Sequence, residues 1–228
     1  MTGKRQVLMA WSSGKDSAFA LSQLLADPGI DVTGLLTTVT EPYDRVSMHG
    51  VRRELLRRQA ASLGLELVEV AVAAGGDNDE YEDRMGRALE PFRRRGVMDV
   101  AFGDIFLQDV RAYREAKLAT AGMRAMFPLW GSDTGQLARR IIRDGFKAVL
   151  TCVDGNALAG EFAGRDFDED LLADLPEGTD PCAENGEFHT FVHDGPLFKS
   201  PVGIHRGEVV LRDGRFHFCD LLPAEATT

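Results

Sequence analysis

A short apolar run, Val7-Leu8-Met9-Ala10, stops at Trp11-Ser12-Ser13-Gly14-Lys15-Asp16-Ser17, after which Ala18, Leu21 and Leu25 recur at i, i+3 and i+7. This order predicts a buried strand, a turn of small residues and an amphipathic helix. Such a turn leaves the first N–H groups of the helix without intrahelical partners, which makes the helix N-terminus an anion site with phosphate as the best candidate. The spacing departs from G-x-x-x-x-G-K-[ST] and lacks the three glycines of a dinucleotide fingerprint, so neither of those mechanisms transfers. Ser13-x-x-Asp16 also fits a capping box, with the serine as cap and the acid complementing the helix dipole. Capping accounts neither for Lys15 beside the acid nor for the further serines at 12 and 17, whereas an acid at a phosphate site makes sense when a divalent cation bridges the two. On local chemistry both readings stand.

The rest of the chain reads as alternating strands and helices. Asp27-Pro28-Gly29 breaks the first helix and residues 32–39 form a second strand, which predicts a βαβ unit in a parallel sheet. Residues 43–49 read as loop, 51–63 as a helix ended by Gly64, and 65–72 as a third strand. An acidic turn at 75–79 leads into a helix over 81–95 that Pro91 kinks or ends. The fourth strand, 99–103, finishes at Asp104. In open α/β sheets ligands lie beyond the carboxyl ends of the strands where strand order reverses, so Asp104 faces the crevice of Asp16 if strands one and four are neighbours. An N-cap is the alternative role for Asp104.

A helix over 109–121, a short strand over 125–129, a helical stripe of Leu137, Ala138, Ile141 and Ile142, and a buried strand over 147–153 follow. The alternation stops past Asp154-Gly155, which sets the expected division of the chain. In the tail, residues 187–192 alternate as a strand, with Phe188 and Val192 on one face and Glu187 and His189 on the other, roughly 7 Å apart by strand rise. A carboxylate and an imidazole projecting together can handle protons or hold a polar substrate; a solvated strand face accounts for the same pattern. Asp213-Gly214 between 208–212 and 215–219 is a hairpin signal.

Composition narrows the function classes. A chain of 228 residues suffices for one core and an appended subdomain. A net charge of −10 argues against a large nucleic-acid surface, and the clusters Arg52, Arg53, Arg57, Arg58 and Arg93, Arg94, Arg95 read as solvated helix faces. Cys152, Cys182 and Cys219 are far apart and form no C-x-x-C, which suits a reducing cytoplasm better than a zinc site or a disulfide framework. No apolar stretch is long enough to span a membrane, and residues 1–5 lead directly into a strand rather than a signal segment. A cytoplasmic location is expected.

Residues 12–17 resemble the S-G-G-x-D-S loop of the adenine nucleotide α-hydrolase-like superfamily, with Ser13 in place of the first glycine. Gly103-Asp104-Ile105 followed by Arg111 and Tyr113-Arg114-Glu115, then Pro128-Leu129-Trp130, then Glu184-Asn185-Gly186-Glu187-Phe188-His189-Thr190 with Asp194-Gly195-Pro196, resemble the diphthine–ammonia ligase family of that superfamily. The likeness runs in family order over nearly the whole chain. One departure is His189, where archaeal and eukaryotic members tend to carry an acid within E-G-G-E-[FY]-E-T.

The resemblance implies an α/β fold: a parallel doubly wound sheet forming an ATP-binding PP-loop domain over 1–153, and a C-terminal α+β substrate-binding subdomain over 154–228. It implies ATP and Mg2+, attack of a carboxylate on the α-phosphorus with loss of pyrophosphate, and displacement of AMP by ammonia. Ser12, Ser13, Gly14, Lys15, Asp16, Ser17, Thr37, Thr38 and Gly103 are assigned to the nucleotide, and Asp16 and Asp104 to magnesium. His49, Asp104, Arg111, Glu115, Glu184, Asn185, Glu187 and His189 are assigned to the substrate side, with Lys15, Asp16, Glu187 and His189 as catalytic groups. The expected partners are a small-molecule or protein-borne carboxylate acceptor and free ammonia, without membrane or nucleic acid; a homodimer is compatible with this reading. His189 is expected to make the rate titrate near neutral pH. Two rivals are a thiolating tRNA-modifying ATP pyrophosphatase, which needs reactive cysteines and a basic surface, and a non-catalytic nucleotide-binding regulator.

Overall fold

The computed structural model describes residues 3–73 and 78–224, so residues 75–77 of the expected acidic turn lie outside the described residues. The N-terminal lobe runs β1 (Arg5–Ala10), α1 (Lys15–Ala26), β2 (Ile30–Thr40), β3 (Arg45–Val46), α2 (Arg53–Leu63), β4 (Leu67–Val72), α3 (Asn78–Arg94), β5 (Asp99–Ala101), α4 (Gln108–Thr120) and β6 (Arg124–Met126). Its parallel strands are ordered β4-β2-β1-β5-β6, with β3 antiparallel to the far end of β2. Strand order reverses between β1 and β5, which opens a crevice at their carboxyl ends.

Both faces of the sheet are covered, because successive strand residues point to opposite sides. Leu8, Leu36, Val70 and Val100 pack with Leu89, Phe92 and Leu118 of α3 and α4. Val7, Met9 and Leu35 pack with Phe19, Leu21, Leu55 and Leu56 of α1 and α2. The fold is the expected doubly wound α/β sheet.

The C-terminal lobe contains α5 (Thr134–Arg143), β7 (Lys147–Asp154), α6 (Glu169–Asp174), β8 (Phe188–Asp194), β9 (Ile204–Arg212) and β10 (Phe216–Pro223). Its four strands are antiparallel in the order β8-β7-β10-β9. The change of sheet therefore falls between β6 and β7, upstream of the division expected at residue 153. β7 is buried on both faces and reads the same as a strand of a parallel sheet, so periodicity alone could not assign it.

Smaller differences have local causes. Residues 41–46 hold a short 3-10 turn and β3 rather than plain loop. Pro91 lies inside α3 near its end, where its missing N–H removes one hydrogen bond and the helix continues to Arg94. β6 stops at Met126, and Pro128-Leu129-Trp130 turns back through a Trp130 N–H to Phe127 carbonyl bond of 3.2 Å. The first arginine cluster is paired rather than merely solvated: Arg52, just before α2, meets Asp220 of β10 at 2.6 Å and Arg57 meets Glu69 at 2.6 Å.

Candidate active site

Ser13 adopts a left-handed backbone, φ 71, where glycine is unstrained and its own Cβ is disfavoured. Its hydroxyl is buried without a partner. α1 starts at Lys15 with Gly14 as N-cap and no side-chain cap, so the capping-box reading fails. Ser12 and Ser17 brace the turn instead: Ser12 Oγ accepts from Gly14 N–H at 3.3 Å and lies 3.1 Å from Ser17 Oγ, which donates to the Gly14 carbonyl at 2.9 Å.

The edge strand β8 of the second sheet lies on this loop. Val192 N–H donates to the Ser13 carbonyl at 2.9 Å, Lys15 N–H donates to Thr190 Oγ1 at 3.1 Å, and His49 Nδ1 donates to the Thr190 carbonyl at 3.0 Å. Only glycine fits at 14, since a Cβ there would sit 2.9 Å from His49 Cε1 and 3.1 Å from the Thr190 carbonyl. Gln59 of α2, fully buried, binds all three pieces: its Oε1 accepts from Trp11 Nε1 at 2.9 Å, and its Nε2 donates to the carbonyls of Ser13 at 3.1 Å and Val192 at 2.6 Å. Sequence reasoning missed Gln59 and Thr190. The one available signal was an uncharged polar side chain next to Ala60 on the apolar face of α2.

Gly103 likewise serves a close approach, because a Cβ there would lie 2.9 Å from the Asp16 carbonyl carbon and 3.0 Å from Ser17 N. Both obstacles are backbone atoms, so Gly103→Ala should force α1 and the β5 tail apart and destabilise the protein by about 1–3 kcal/mol in urea unfolding. A variant as stable as the parent would show that this gap can open.

The crevice holds a cavity of about 650 Å³, of a size suited to a small-molecule ligand. Leu36, Met85, Leu89 and Leu118 line its apolar part, and Ser12, Asp16, Thr38, Asp104, Glu184 and His189 its polar part. Lys15 is 2% exposed. Its Nζ meets Asp16 Oδ2 at 2.9 Å and the Cys182 carbonyl at 2.5 Å, with the rings of Phe167 and Phe188 at 5.3 and 5.4 Å. Burial pushes the Lys15 pKa down, but Asp16 and Asp180 outweigh it and hold the ammonium charged. Burial lifts the Asp16 carboxyl above its ordinary value, and Lys15 counters this only in part.

Acids crowd this end of the cavity. Glu184 accepts from the N–H groups of Ile105 at 2.7 Å and Phe106 at 3.3 Å. Burial still raises its pKa, helped by the charges of Asp16 and Asp104. Asp104 Oδ1 accepts from Arg114 Nη2 at 3.1 Å, while Asp104 Oδ2 and Asp16 Oδ1 are both buried without a hydrogen-bond partner. No group of three His, Cys, Asp or Glu side chains among the described residues is arranged to hold a metal ion. A hard cation that keeps phosphate and water ligands takes only one or two carboxylates, and the unpartnered oxygens of Asp16 and Asp104 fit that role.

Other expected site residues divide. Ser12, Lys15, Asp16, Ser17, Thr37, Thr38, His49, Gly103, Asp104, Glu184 and His189 line the cavity, while Ser13 and Gly14 lie under β8. The Thr37 hydroxyl is taken up by the Trp11 carbonyl at 2.7 Å. Arg111 and Glu115 pair with each other at 2.8 Å, Arg111 stacking over Phe127 and Trp130, and do not line the cavity. Glu187 precedes β8 and turns inward, its Oε1 accepting from Asp180 N–H at 3.1 Å and Asn185 Nδ2 at 3.0 Å. Glu187 and Asn185 thus shape the loop that presents Glu184, and only His189 of the expected strand pair lines the cavity.

His49 and His189 stack with ring centroids 4.6 Å apart. Burial, then the other imidazole, pushes His49 down to about 3; burial, then Lys15, pushes His189 down to about 4. Both rings are neutral at pH 7, which corrects the expectation of titration near neutrality. Protonation favours the unfolded chain, where histidine titrates near 6.5, so the stabilisation is whole above pH 6.5 and is lost as pH falls toward 4 and 3. Thermal melts between about pH 7.5 and 4.5 should lose on the order of 2 kcal/mol per ring by pH 5. His189→Gln should flatten part of that slope; a parallel slope in the variant would remove His189 from the account.

The N-terminal domain model of diphthamide synthase matches residues 5–125 and its C-terminal domain model matches residues 133–220. The boundary between the two models coincides with the change of sheet. The chain is 26% identical over 221 residues to the diphthine--ammonia ligase of Danio rerio, covering 88% of this chain and 86% of that protein. It is 25% identical over 223 residues to the diphthine--ammonia ligase of Homo sapiens, covering 88% and 83%. To that of Schizosaccharomyces pombe it is 32% identical over 224 residues, covering 90% of this chain and 37% of the longer protein. A solved structure described as a predicted subunit of tRNA methyltransferase from Methanocaldococcus jannaschii overlays 82% of this chain and 96% of its own, at a TM-score of 0.40 and 15% identity, too remote to carry weight. With both domain models matched in order across the two lobes, the chain belongs to the diphthamide synthase family.

Proposed function

We propose that this chain is an ATP-dependent, AMP-forming ligase that joins ammonia to a carboxylate, as the names of its relatives suggest. The observation that carries the reading is the meeting, in one cavity, of the loop at 12–17 with its unpartnered Asp16 oxygen and of the Glu184–His189 segment of the second lobe. A carboxylate oxygen of the acceptor attacks the α-phosphorus of ATP and pyrophosphate leaves; ammonia then attacks the acyl carbon, loses a proton, and AMP leaves.

The first turn of α1 offers backbone donors to the phosphates, and the Ser12 and Ser17 hydroxyls would join them by turning from each other and from the Gly14 carbonyl. Asp16 would hold Mg2+, which neutralises charge on the departing pyrophosphate. Lys15 adds a fixed positive charge within the same loop, although its Nζ is already bound to Asp16 and the Cys182 carbonyl. Glu184 lies near Asp16 and Asp104, where its raised pKa lets it take a proton from the attacking nitrogen. The neutral His189 presents a hydrogen-bonding edge to the acceptor.

The thiolating alternative is disfavoured by the cysteines: burial pushes Cys152 and Cys182 up to about 12, which leaves little thiolate. The test is product identity. Incubation with ATP, Mg2+, labelled ammonium and a panel of carboxylates, diphthine included, followed by phosphorus NMR, should give AMP and pyrophosphate only when the acceptor is present. ADP and orthophosphate as the sole products would overturn the proposal.

A further inference from the structure

β9 ends the second sheet, pairing with β10 on one side, and among the described residues no strand pairs with its other edge. An open edge presents a row of unpaired N–H and C=O groups that template pairing with another strand. Val209 and Leu211 are 48% and 52% exposed and, two residues apart, share one face of β9. Glu208 and Arg212 occupy the other face. Neither side chain makes an ion pair or hydrogen bond among the described residues, although nearby arginines do: Arg206 pairs with Asp166, and Arg215 with Asp154 at 2.5 Å.

We infer that β9 pairs antiparallel with β9 of a second copy of this chain about a two-fold axis at Val210, joining the two four-stranded sheets into one continuous sheet. Two-fold pairing of a strand with itself keeps each residue on its own face, so the axis must pass through a residue. Centred on Val210, the register sets Glu208 opposite Arg212 and Val209 opposite Leu211, each pair occurring twice. Centred on Val209 it sets Arg206 against Arg212, and centred on Glu208 it sets like charges directly opposite, which is unfavourable. Centred on Gly207 it turns Glu208 to Arg206, which Asp166 already holds, and centred on Leu211 it sets no opposite charges together. Only the Val210 register therefore pairs the free Glu208 with the free Arg212 while covering both exposed aliphatic side chains. No residue of β9 lines the cavity, so association and the proposed chemistry are separable. Pairing confined to one strand lies at the small end of specific interfaces, so a weak dimer is expected, with Kd on the order of micromolar.

Sedimentation velocity of the full chain between about 1 and 300 µM, at low and moderate salt, tests this. The parent should pass from monomer to dimer across that range. Glu208→Arg alone and Arg212→Glu alone each place like charges opposite at two points and should weaken association by about tenfold or more. The double variant Glu208→Arg/Arg212→Glu restores opposite pairs and should recover most of the loss, a result that unfolding cannot mimic. A parent that stays monomeric throughout, a dimer indifferent to all three variants, or a double variant no better than the singles would each overturn the inference.

Discussion

Asparagine in place of Asp16 should reduce formation of AMP and pyrophosphate by about 10²–10³-fold, the range set by removing one charge-stabilising group from an active site. The change is nearly isosteric, and the amide oxygen can still accept from Lys15 Nζ, which lies 2.9 Å from the present carboxylate. What is lost is the charge on Oδ1, buried at the cavity wall without a partner. Asp104 supplies at most one further free oxygen, since its Oδ1 already accepts from Arg114 Nη2 at 3.1 Å. Calorimetry should therefore show weaker binding of ATP with Mg2+ but unaltered binding of ATP in excess chelator. Equal Mg2+ dependence in the two proteins would remove Asp16 from the metal.

Gln59→Leu should be the most damaging single change outside the cavity, at about 2–5 kcal/mol in urea unfolding. Leucine has a similar volume, so packing is nearly kept, but Trp11 Nε1 and the Val192 carbonyl lose their partners at 2.9 and 2.6 Å in a dry environment. Each orphaned buried group costs about 1–3 kcal/mol. The Ser13 carbonyl keeps the Val192 N–H at 2.9 Å and adds little. A loss below about 1 kcal/mol would mean that water enters to replace the amide.

The contrast between these two residues shows what could be read in advance. Asp16 was legible because its signal is local: a strand, small residues and an amphipathic helix within about twenty positions. The same locality made the sheet of the first lobe legible, along with Asp104 beyond β5 and the hairpin turn at Asp213-Gly214. Gln59 acts on residues 46 to 133 positions away, and no periodicity reports such contacts. β7 failed for a related reason: an apolar strand states that both its faces are buried, not which sheet it joins. Glu187 and His189 fit alternation on paper, but β8 begins at Phe188, so the alternation rule did not extend to Glu187. His189 was expected to titrate near neutrality because ordinary histidine does; the nearby Lys15 and the depth of the cavity are tertiary facts.

The Lys15 ammonium, enclosed between Phe167 and Phe188 and bound to the Cys182 carbonyl, bears on how the chain folds. Separating the lobes would break that bond together with the Lys15–Thr190, Val192–Ser13 and Gln59–Val192 hydrogen bonds. Partial unfolding that frees either lobe is therefore steeply penalised, and the molecule should melt in a single cooperative transition despite its two sheets. A fragment ending near residue 130 would keep all the parallel strands yet leave its phosphate loop without β8, its lysine facing water, and Ser13 with no reason to stay left-handed. Hydrogen exchange at residues 12–17 should accordingly track the slowest amides of β7 rather than those of the neighbouring β3 turn.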